Sequence, residues 1–563
     1  MLKTPLLAAA AALTALTALS ARGIEPDHLN AQEPARPPYL ERKPGEPFTL
    51  PPISPDGSVA GAAPGAPGVM LDSVRFVGNT VVSTEDLQSV AAPFVGKTVG
   101  ADDVETLRQK VSLLYVERGY INSGAVLDAD AWDHGTLTLH IIEGRLKEVR
   151  LHGLERLNEH YVADRLTRDD EPLNILTLGE RFQLLLTDPL FARMNGQLLP
   201  DAERGQAILS VDVERARPYQ LSVFANNYLP ISIGPQSGTI AGWVRNLTGY
   251  GDILEASYQD PLGHGDARRG AIGWRMPLNT RGTQLSLYYD SGVSSVIQQP
   301  TKPLNIKSDL TNKEIGIGQV LSETLRQRLA IGVNRVWREN STTLLGEPFS
   351  FVAGEPTGTS KATDWRFWQE YSHRSDNQVL ALRSTFTFGE SNELPASAFP
   401  LPGLTLDHNY FIWLGQAQYA RRILDNGSQL ILRLNVQDTP DRLIPMEQMA
   451  VGGINTVRGY LENQLVRDNG VVANIELDFP VLADGARQLQ LNLKPFVDYG
   501  RAWNSDAAAS VIASAGLATR LRWQGLTFDL SLAKRIYHSR TVISNGSNLQ
   551  EKGIELQLSY SFF

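Results

Sequence analysis

From about residue 217 to the C-terminus, apolar and polar side chains alternate along the chain with a period of two. This period is typical of β-strands whose two faces meet different surroundings. Such stretches begin near sixteen positions: 217, 237, 251, 267, 281, 313, 326, 363, 378, 409, 428, 469, 489, 509, 525 and 553. Most of them are long enough to cross a bilayer as tilted strands of about nine to eleven residues.

The connections between these stretches differ in length from one end of the strands to the other. Those after odd-numbered strands are often long, near 291–312, 339–362, 389–408, 439–468 and 537–552. Those after even-numbered strands are mostly short, for example 247–250, 278–280, 322–325 and 374–377. Outer-membrane barrels have this layout, and a soluble β-sandwich has no reason to sort its loops. Many Trp and Tyr residues fall near strand ends, as at a membrane interface. We predict that residues 217–563 form a 16-stranded transmembrane β-barrel.

Residues 70–216 show helical periodicity instead, in two consecutive units of about 70 residues with the order β-α-α-β-β. The first unit has a strand at Val74 and Phe76, helices over 84–92 and 101–118, and strands over 125–128 and 135–142. The second has a strand at Val149 and Leu151, helices over 158–166 and 178–186, and strands over 198–200 and 207–213. One element order repeated at a fixed period indicates an internal repeat. We expect two small α+β domains, 70–145 and 146–216.

The N-terminus predicts export. Lys3 precedes an apolar run over 6–19, and the small residues Ser20 and Ala21 follow, which is the pattern of a cleaved signal peptide over 1–21. Residues 22–69 are rich in Pro, Gly and Ala and read as a linker, within which a short plug helix is neither required nor excluded. No later run of about 18 apolar residues exists, so a spanning segment would have to be a barrel.

Composition and charge exclude several functions. The 563 residues carry a net charge of −9, whereas nucleic-acid-binding domains usually have a basic surplus, so no nucleic-acid partner is expected. The chain has no Cys, and its nine His residues are scattered without a metal-binding spacing. No Gly-x-Ser-x-Gly elbow and no phosphate-binding Gly-x-x-x-x-Gly-Lys loop are present. We therefore expect no catalytic residue, metal, cofactor or ATP.

The barrel region contains two motifs. One is Gly452-Gly453-Ile454-Asn455-Thr456-Val457-Arg458-Gly459-Tyr460, and the other is Phe496-Val497-Asp498-Tyr499-Gly500. The first resembles the Val-Arg-Gly-Tyr tip of the sixth extracellular loop of the two-partner secretion transporters, the TpsB family of POTRA-plus-barrel proteins. The second resembles the Phe-x-Asp-x-Gly motif on that family's thirteenth strand. The count of alternating stretches independently puts these segments in loop six, about 439–468, and in strand thirteen.

The two N-terminal units resemble the family's POTRA modules. The match in the first unit covers 115–121 and Ile142-Glu143-Gly144. The match in the second unit covers 172–174, 184–189 and Leu199-Pro200. After Pro200 this chain has Asp201, where the family usually has Gly. The resemblance covers nearly the whole chain from about Leu71. It implies a POTRA 1 domain over 70–145 and a POTRA 2 domain over 146–216.

The resemblance also implies site residues. Loop six folds back into the lumen, where Arg458 meets Asp498 on the barrel wall, and a guanidinium fork on a carboxylate fixes orientation as well as charge. Phe496 and Gly500 belong to the wall motif, Val457 and Tyr460 to the tip, and Gly452, Gly453 and Gly459 permit a tight turn. The C-terminal aromatics Tyr560, Phe562 and Phe563 resemble the recognition signal of the barrel-assembly machinery.

The implied function is export of a partner protein. An unfolded exoprotein, similar to adhesins or haemolysins, would bind the POTRA domains in the periplasm, pass through the barrel in the outer-membrane lipid, and fold outside without ATP. The first alternative is an insertase that assembles other outer-membrane proteins, although such proteins often carry more POTRA modules. A passive porin is a further alternative, but a porin needs no POTRA arm.

Overall fold

The computed structural model describes residues 68–128, 131–167, 171–263, 265–351, 357–392, 406–504, 508–539 and 548–562. The predicted signal peptide and nearly all of the predicted linker lie outside these ranges, as does Phe563. The chain divides into two compact units, one that ends at Arg217 and one that begins at Pro218 and runs to the C-terminus. The boundaries of the signal peptide and of the two POTRA domains stay predictions.

The first repeat is a small sheet covered by two helices. Its elements are β1 (Val69–Met70), β2 (Ser73–Val77), α1 (Thr84–Ala91), β3 (Thr98–Val99), α2 (Ala101–Glu117), β4 (Gly124–Val126), β5 (Trp132–Asp133) and β6 (Thr136–Ile142). Strand β2 pairs in parallel with β6, whose other side takes β4 and β5 in antiparallel. Helix α2 buries the side chains of Val104, Leu107, Val111 and Tyr115. Their spacing of three and four residues is the helical period that predicted this helix.

Glu143 organises one end of this repeat. Its carboxylate accepts hydrogen bonds from the backbone N–H groups of Thr80 (2.6 Å) and Val81 (2.9 Å), from the Thr80 hydroxyl, and from Tyr115 Oη (3.1 Å). Partial burial alone would raise the pKa of Glu143, but the hydrogen bonds from Thr80 and Val81 outweigh it and lower that pKa. The Tyr and Glu of the first POTRA motif therefore share one contact, which holds the turn between β2 and α1.

The second repeat has the same order of long elements. They are β7 (Arg145–His152), α3 (Glu159–Leu166), α4 (Ile175–Leu186), β8 (Phe191–Pro200) and β9 (Gln206–Arg215). Strand β9 lies in the middle, parallel to β7 and antiparallel to β8. The prediction of a strand that starts at Leu198 was too short, because a register shift between Phe191 and Arg193 breaks the period of two. Buried Phe191 and Met194 are consequently three residues apart, and between buried Met194 and Leu198 the position on the same face is Gly196, which adds no apolar side chain to the pattern.

Asn174 joins the two repeats. Its side-chain oxygen accepts from the N–H groups of Leu176 (2.9 Å) and Thr177 (3.3 Å) and so caps helix α4, which begins at Ile175, three residues before its predicted start. Its Nδ2 donates to the carbonyl oxygen of Arg118 (3.0 Å), at the C-terminal end of α2. One side chain thus supplies hydrogen-bond partners to two free N–H groups at the start of α4 and to a free carbonyl group at the end of α2.

The C-terminal unit is a closed antiparallel barrel of sixteen long strands. They are β10 (Tyr219–Asn226), β11 (Ser237–Arg245), β12 (Ile253–Pro261), β13 (Ala267–Pro277), β14 (Thr283–Ser295), β15 (Lys307–Glu323), β16 (Gln327–Leu344), β18 (Thr359–Arg374), β19 (Gln378–Ser391), β20 (Asn409–Arg422), β21 (Gln429–Asp438), β24 (Asn469–Asp484), β25 (Leu489–Trp503), β26 (Ser510–Trp523), β27 (Leu526–His538) and β28 (Ile554–Ser561). The two-residue strand β17 (Glu347–Pro348) pairs with the end of β16. The predicted fold is therefore confirmed.

Strands β14, β15 and β16 extend further than alternation predicts. Strand β15 begins at Lys307 instead of near 313, and Lys307 and Asp309 pair with Thr343 and Ser341 of β16. Apart from Leu310, both faces of the extension over 307–312 are polar, so the alternation of apolar and polar residues is lost while the hydrogen-bonded ladder continues. The predicted long connection 291–312 accordingly shrinks to 296–306.

The two faces of the barrel wall differ as expected. Outward side chains such as Ile315, Ile317 and Val497 are exposed and apolar, whereas inward ones such as Asp364 and Asp498 are fully buried. The prediction that the aromatic residues belong to interfacial girdles holds only for some of them. The indole N–H of Trp368, for example, points inward and donates to Asn334 Oδ1 (3.0 Å). Within the ranges that the structure describes, no helix is long and apolar enough to span a membrane.

The joint at Asn174 can be tested with a matched pair of variants. Asn158 caps α3 through His160 N–H but makes no bridge to the first repeat among the described residues. Replacing either Asn with Ala removes a cap, but only Asn174→Ala also removes the bond to Arg118, worth about 1 kcal/mol. We expect full-length Asn174→Ala to be cleaved between the repeats roughly fivefold faster than Asn158→Ala in limited proteolysis. Equal cleavage rates would show that the bridge does not stabilise the joint.

Candidate functional site: the docked tip of loop six

Loop six, residues 439–468, connects β21 to β24 and folds against the inner wall of the barrel. It contains a short hairpin formed by β22 (Met449–Val451) and β23 (Leu465–Arg467). Its buried side chains Val451, Val457 and Tyr460 pack with inward-facing wall residues in one apolar cluster. The wall members of that cluster are Val472, Ala502 and Ile512. The loop is therefore a packed part of the lumen.

The tip turns tightly at two glycines. Gly452 and Gly453 have φ angles of +121° and +94°, a region that side chains with a Cβ rarely adopt. The N–H of Gly452 donates to Thr456 Oγ1 (2.8 Å), and the N–H of Gly453 donates to the carbonyl oxygen of Val457 (3.1 Å). This turn presents Val457 and Arg458 to the wall.

Arg458 makes four hydrogen bonds to two carboxylates. Its Nε and Nη2 donate to Asp498 Oδ2 (2.7 Å) and Oδ1 (2.8 Å), and its backbone N–H donates to the same Oδ2 (3.1 Å). Its Nη1 donates to Glu476 Oε2 (2.8 Å). Asp498 has no exposed surface and Arg458 retains 6% of its own. The structure thus places Arg458 and Asp498 in a buried bidentate pair, and it adds Glu476 as a second acid.

The register of the strands explains how these acids meet one arginine. Asn474 of β24 pairs with Asp498 of β25, and one step along the strands on the same face Glu476 pairs with Phe496. Asn474 Nδ2 donates to Asp498 Oδ1 (2.8 Å) and to the carbonyl oxygen of Thr456 (2.6 Å). The wall therefore offers two acids and an amide donor side by side.

Phe496 and Gly500 give the wall motif its shape. The Arg458 guanidinium lies 3.4 Å from the centroid of the Phe496 ring, a cation–π stack inside the lumen. A Cβ on Gly500 would lie 2.5 Å from Val451 Cγ1 and 2.7 Å from Val457 Cγ2. The three motif positions thus have separate roles: the Phe496 ring stacks on the guanidinium, Asp498 pairs with it, and Gly500 leaves space for the loop.

Gly459 and Tyr460, the last two residues of the tip motif, contact strands β26 and β27. Gly459 has a φ angle of +83°, and a Cβ there would lie 2.7 Å from the Cβ of Ala533. Tyr460 Oη is within hydrogen-bond distance of the carbonyl oxygens of Ala513 (3.2 Å) and Tyr537 (2.7 Å). Arg535 Nε donates to the Gly459 carbonyl (2.8 Å). The tip accordingly contacts four neighbouring strands, β24 to β27.

Sequence reasoning missed Glu476, Asn474 and Arg535. Alternation puts each of them on the inward face of its strand, so this signal was available. It does not reveal which inward residues of neighbouring strands lie side by side, because that depends on register. Glu476 is further held by Lys494, whose Nζ lies 3.4 Å from its Oε1.

The C-terminal aromatics lie on the outer side of the wall. Tyr560 and Phe562 remain 43% and 47% exposed, and their rings meet edge to face with centroids 5.0 Å apart. Tyr560 pairs with Val223 of β10 and Leu526 of β27. Phe563 lies outside the described residues. Recognition of these residues by the assembly machinery stays a prediction.

Groups suited to metal binding do not gather in the part of the chain that the structure describes, since no three His, Asp and Glu side chains there could hold one ion. The inward carboxylates Asp498 and Glu476 are occupied by Arg458. What the site offers is a buried ionic contact between a loop and the barrel wall.

Comparison with known proteins identifies the family. A family profile described as haemolysin secretion/activation protein ShlB/FhaC/HecB matches residues 205–522, more than half of the chain. The chain belongs to this family. A second profile, the POTRA domain of ShlB type, matches residues 69–144. The chain is therefore a two-partner secretion protein of the outer membrane, with a POTRA domain and a closed barrel.

Relatives from several bacteria agree with this assignment. The outer membrane transporter CdiB-2 of Burkholderia pseudomallei is 21% identical over 79% of this chain and 76% of its own. The outer membrane transporter CdiB of Dickeya dadantii is 22% identical over 84% and 83%. The haem/haemopexin transporter protein HuxB of Haemophilus influenzae is 26% identical over 31% and 32%. The family consists of transporters, not enzymes.

A solved structure supports the fold. CdiB from Escherichia coli superposes with a TM-score of 0.70 at 18% identity and covers 98% of each chain. CdiB from Acinetobacter baumannii gives a TM-score of 0.65 at 16% identity over 98% of this chain and 99% of its own. At these identities the likeness concerns the fold alone.

Because Gly500 leaves just enough space for the loop tip, a methyl group added there should weaken the docking of the tip. In Gly500→Ala the Cβ would overlap Val451 and Val457 and leave every charge in place, at a cost of about 1–3 kcal/mol. We expect the loop tip to leave the wall more often, so that the purified protein opens about tenfold more often in planar-bilayer recordings. Gly485→Ala is the control, because no atom lies within 4 Å of its Cβ position. Unchanged conductance in Gly500→Ala would contradict this role of the space.

Proposed function

We propose that this protein moves an unfolded exoprotein, similar to adhesins or haemolysins, from the periplasm through its own barrel to the cell surface without ATP. The observation that carries the proposal is the docked tip of loop six, where Arg458 binds Asp498 and Glu476 inside the lumen. A loop held in a pore by a few contacts is a plug that can be displaced. The family assignment supports export of a partner protein as the reason for displacing it.

The barrel is wide enough for the task. Barrels of sixteen strands enclose an aqueous lumen, whereas eight strands leave room only for side chains. The inward face carries paired charges along several strands, for example Arg275 with Glu255 (2.9 Å) and Arg520 with Asp529 (2.6 Å). A hydrophilic wall suits an extended polypeptide, whose backbone groups need polar partners or water.

The POTRA domains would receive the exoprotein by strand addition. In the first repeat β2 forms one edge of its sheet, and in the second β7 and β8 each have one neighbour among the described strands. An edge strand presents unpaired backbone groups to an extended peptide. Lys147, Glu148 and Arg150 make the β7 edge charged, which disfavours pairing, so β2 and β8 are the better candidates.

Energy for the movement would come from the exoprotein. The chain has no phosphate-binding Gly-x-x-x-x-Gly-Lys loop. A chain that folds on the far side of the membrane cannot easily return, because re-entry would require it to unfold again. Folding outside therefore biases the direction of a passage that is otherwise reversible.

The insertase alternative makes a different demand on the barrel, since it needs an opening between the first and last strands. Strands β10 and β28 pair over five residues, fewer than any other neighbouring pair of long barrel strands. At one end of this seam Ser222 Oγ lies 3.0 Å from Ser561 Oγ. The short seam is the observation that keeps this second function under consideration.

Arg458 provides the direct test of the export proposal. Removing a partner from a buried ion pair costs about 3–5 kcal/mol, and Arg458→Ala would leave Asp498 and Glu476 without their guanidinium. In the proposed cycle the tip returns to one position after each passage, so a tip without its guanidinium should leave the cycle incomplete. We therefore expect at least about tenfold less partner exoprotein in the medium at normal barrel abundance in the membrane. Arg458→Lys keeps the charge but loses the fork, so it should secrete an intermediate amount. Normal secretion by Arg458→Ala would remove this residue from the mechanism.

A locked seam distinguishes passage through the lumen from lateral opening. The chain contains no Cys, so Ser222→Cys combined with Ser561→Cys introduces the only two thiols at a site where the native oxygens already touch. We expect the disulfide form to secrete the exoprotein within about twofold of the single-Cys variants, because only lateral opening requires these strands to part. Secretion that is lost in the oxidised variant and restored by a reductant would favour the insertase-like route.

A further inference from the structure

Loop six carries a second buried ion cluster, eleven residues before Arg458. It is centred on Glu447, which lies ahead of strand β22. Arg338 Nη1 of β16 donates to Glu447 Oε1 (2.9 Å), and Arg366 Nη2 of β18 donates to Oε2 (3.2 Å). The side chains of Arg338 and Glu447 retain only 2% and 4% exposure. The base of the loop thus has an ionic contact as deeply buried as that of its tip.

The wall that receives Glu447 is itself organised. Arg366 Nη2 also donates to Asp364 Oδ2 (2.8 Å), two residues away on the inward face of β18. Tyr410 Oη of β20 donates to Asp364 Oδ1 (2.5 Å). The Tyr410 ring reaches Asp364 across Gly389 of β19, where a Cβ would lie 2.0 Å from Tyr410 Cε2. Four neighbouring strands therefore build the receptor for this one loop carboxylate.

The backbone around Glu447 is fixed as well. Arg338 Nη1 also donates to the carbonyl oxygen of Met446 (3.0 Å), and Gln437 Nε2 of β21 donates to that of Glu447 (3.0 Å). The side chains of Ile444 and Met446 are buried against Ala362 of β18. The segment that precedes the tip hairpin is thus docked by charge, hydrogen bonds and apolar packing together.

We propose that Glu447 is a second positioning residue for loop six, which latches the base of the loop to β16 and β18 independently of the Arg458 tip. The acids that hold the tip lie on β24 and β25, whereas the arginines that hold the Glu447 side chain lie on β16 and β18, and strands β19, β20 and β21 stand between these two pairs of strands. With both contacts made, the segment between them is fixed to separate parts of the wall. The inference rests on the proposed function, in which the loop leaves the lumen during transport.

Within the ion cluster centred on Glu447, Glu447 is the residue whose removal disturbs the balance of charge most directly. Two guanidiniums, Arg338 and Arg366, contact two carboxylates, Glu447 and Asp364, so the charges in direct contact balance when the loop is docked. Withdrawal of Glu447 removes the carboxylate that Arg338 contacts at 2.9 Å. Loss of a charge-assisted pair opposes undocking, which is the property required of a latch.

The test is a double-variant cycle in planar-bilayer recordings with the purified full-length protein. We expect Glu447→Gln to raise the frequency of channel openings about tenfold over the unchanged protein. Glu447→Gln combined with Arg458→Ala should show the product of the two single effects, because independent contacts contribute separately. Glu347→Gln is the matched control, since Glu347 is exposed in the short strand β17. Heat-dependent gel mobility verifies that each barrel is folded.

Two results would overturn the inference. One is a Glu447→Gln variant that behaves like Glu347→Gln; the other is a double variant that opens no more often than Arg458→Ala alone. If Glu447→Gln does not assemble, Tyr410→Phe removes only the hydroxyl that holds Asp364 and should raise openings by about threefold, and no increase overturns the inference equally. These recordings use no exoprotein. Normal secretion by Arg458→Ala would therefore count against the proposed function and leave the recordings standing.

Discussion

The organisation of the lumen depends on one constraint, the cost of burying a guanidinium. Arg458 retains 6% of its surface, and a charge in that position is tolerable only if acids and hydrogen bonds replace the water that it has lost. Asp498 and Glu476 supply the acids, and Asn474 holds Asp498 in place. While it is buried, the arginine is thus stable only beside these acids, and the loop that carries it is held in place with it.

The wall meets this constraint with a recurring device, an aromatic ring that lies across an inward-facing glycine of the next strand. A Cβ on Gly516 would lie 2.5 Å from Phe496 Cζ, and one on Gly389 would lie 2.0 Å from Tyr410 Cε2. Each ring lies along the wall and not across the lumen, one beneath the Arg458 guanidinium and the other beside Asp364. Small residues on the inward face therefore shape the wall as much as its charges do.

Sequence reasoning succeeded where a pattern depends on one strand alone. The alternation of Leu430, Leu432 and Leu434 showed where β21 lies, and the motif residues Arg458 and Asp498 pointed to a contact between loop and wall. It failed where the answer depends on neighbouring strands. Nothing in the local pattern around Glu476 or Glu447 reveals that register and loop path bring each of them against an arginine. The start of β8 was missed for a related reason, because its bulge removes the period of two.

If loop six is a plug held by ionic contacts at both Arg458 and Glu447, these contacts limit how the pore can begin to open. Each hydrogen bond to a charged group contributes about 1.5–3 kcal/mol, and a difference of about 5.5 kcal/mol already moves a two-state equilibrium from 1:99 to 99:1. Spontaneous opening would accordingly be rare, which protects the outer membrane from leakage through a pore of sixteen strands. A transported chain can shift that equilibrium only by as much as it binds the open state better than the closed one. Under the proposed function, the exoprotein therefore has to replace contacts of Arg458 or Glu447 with contacts of its own, and it must do so before its folding outside can contribute anything.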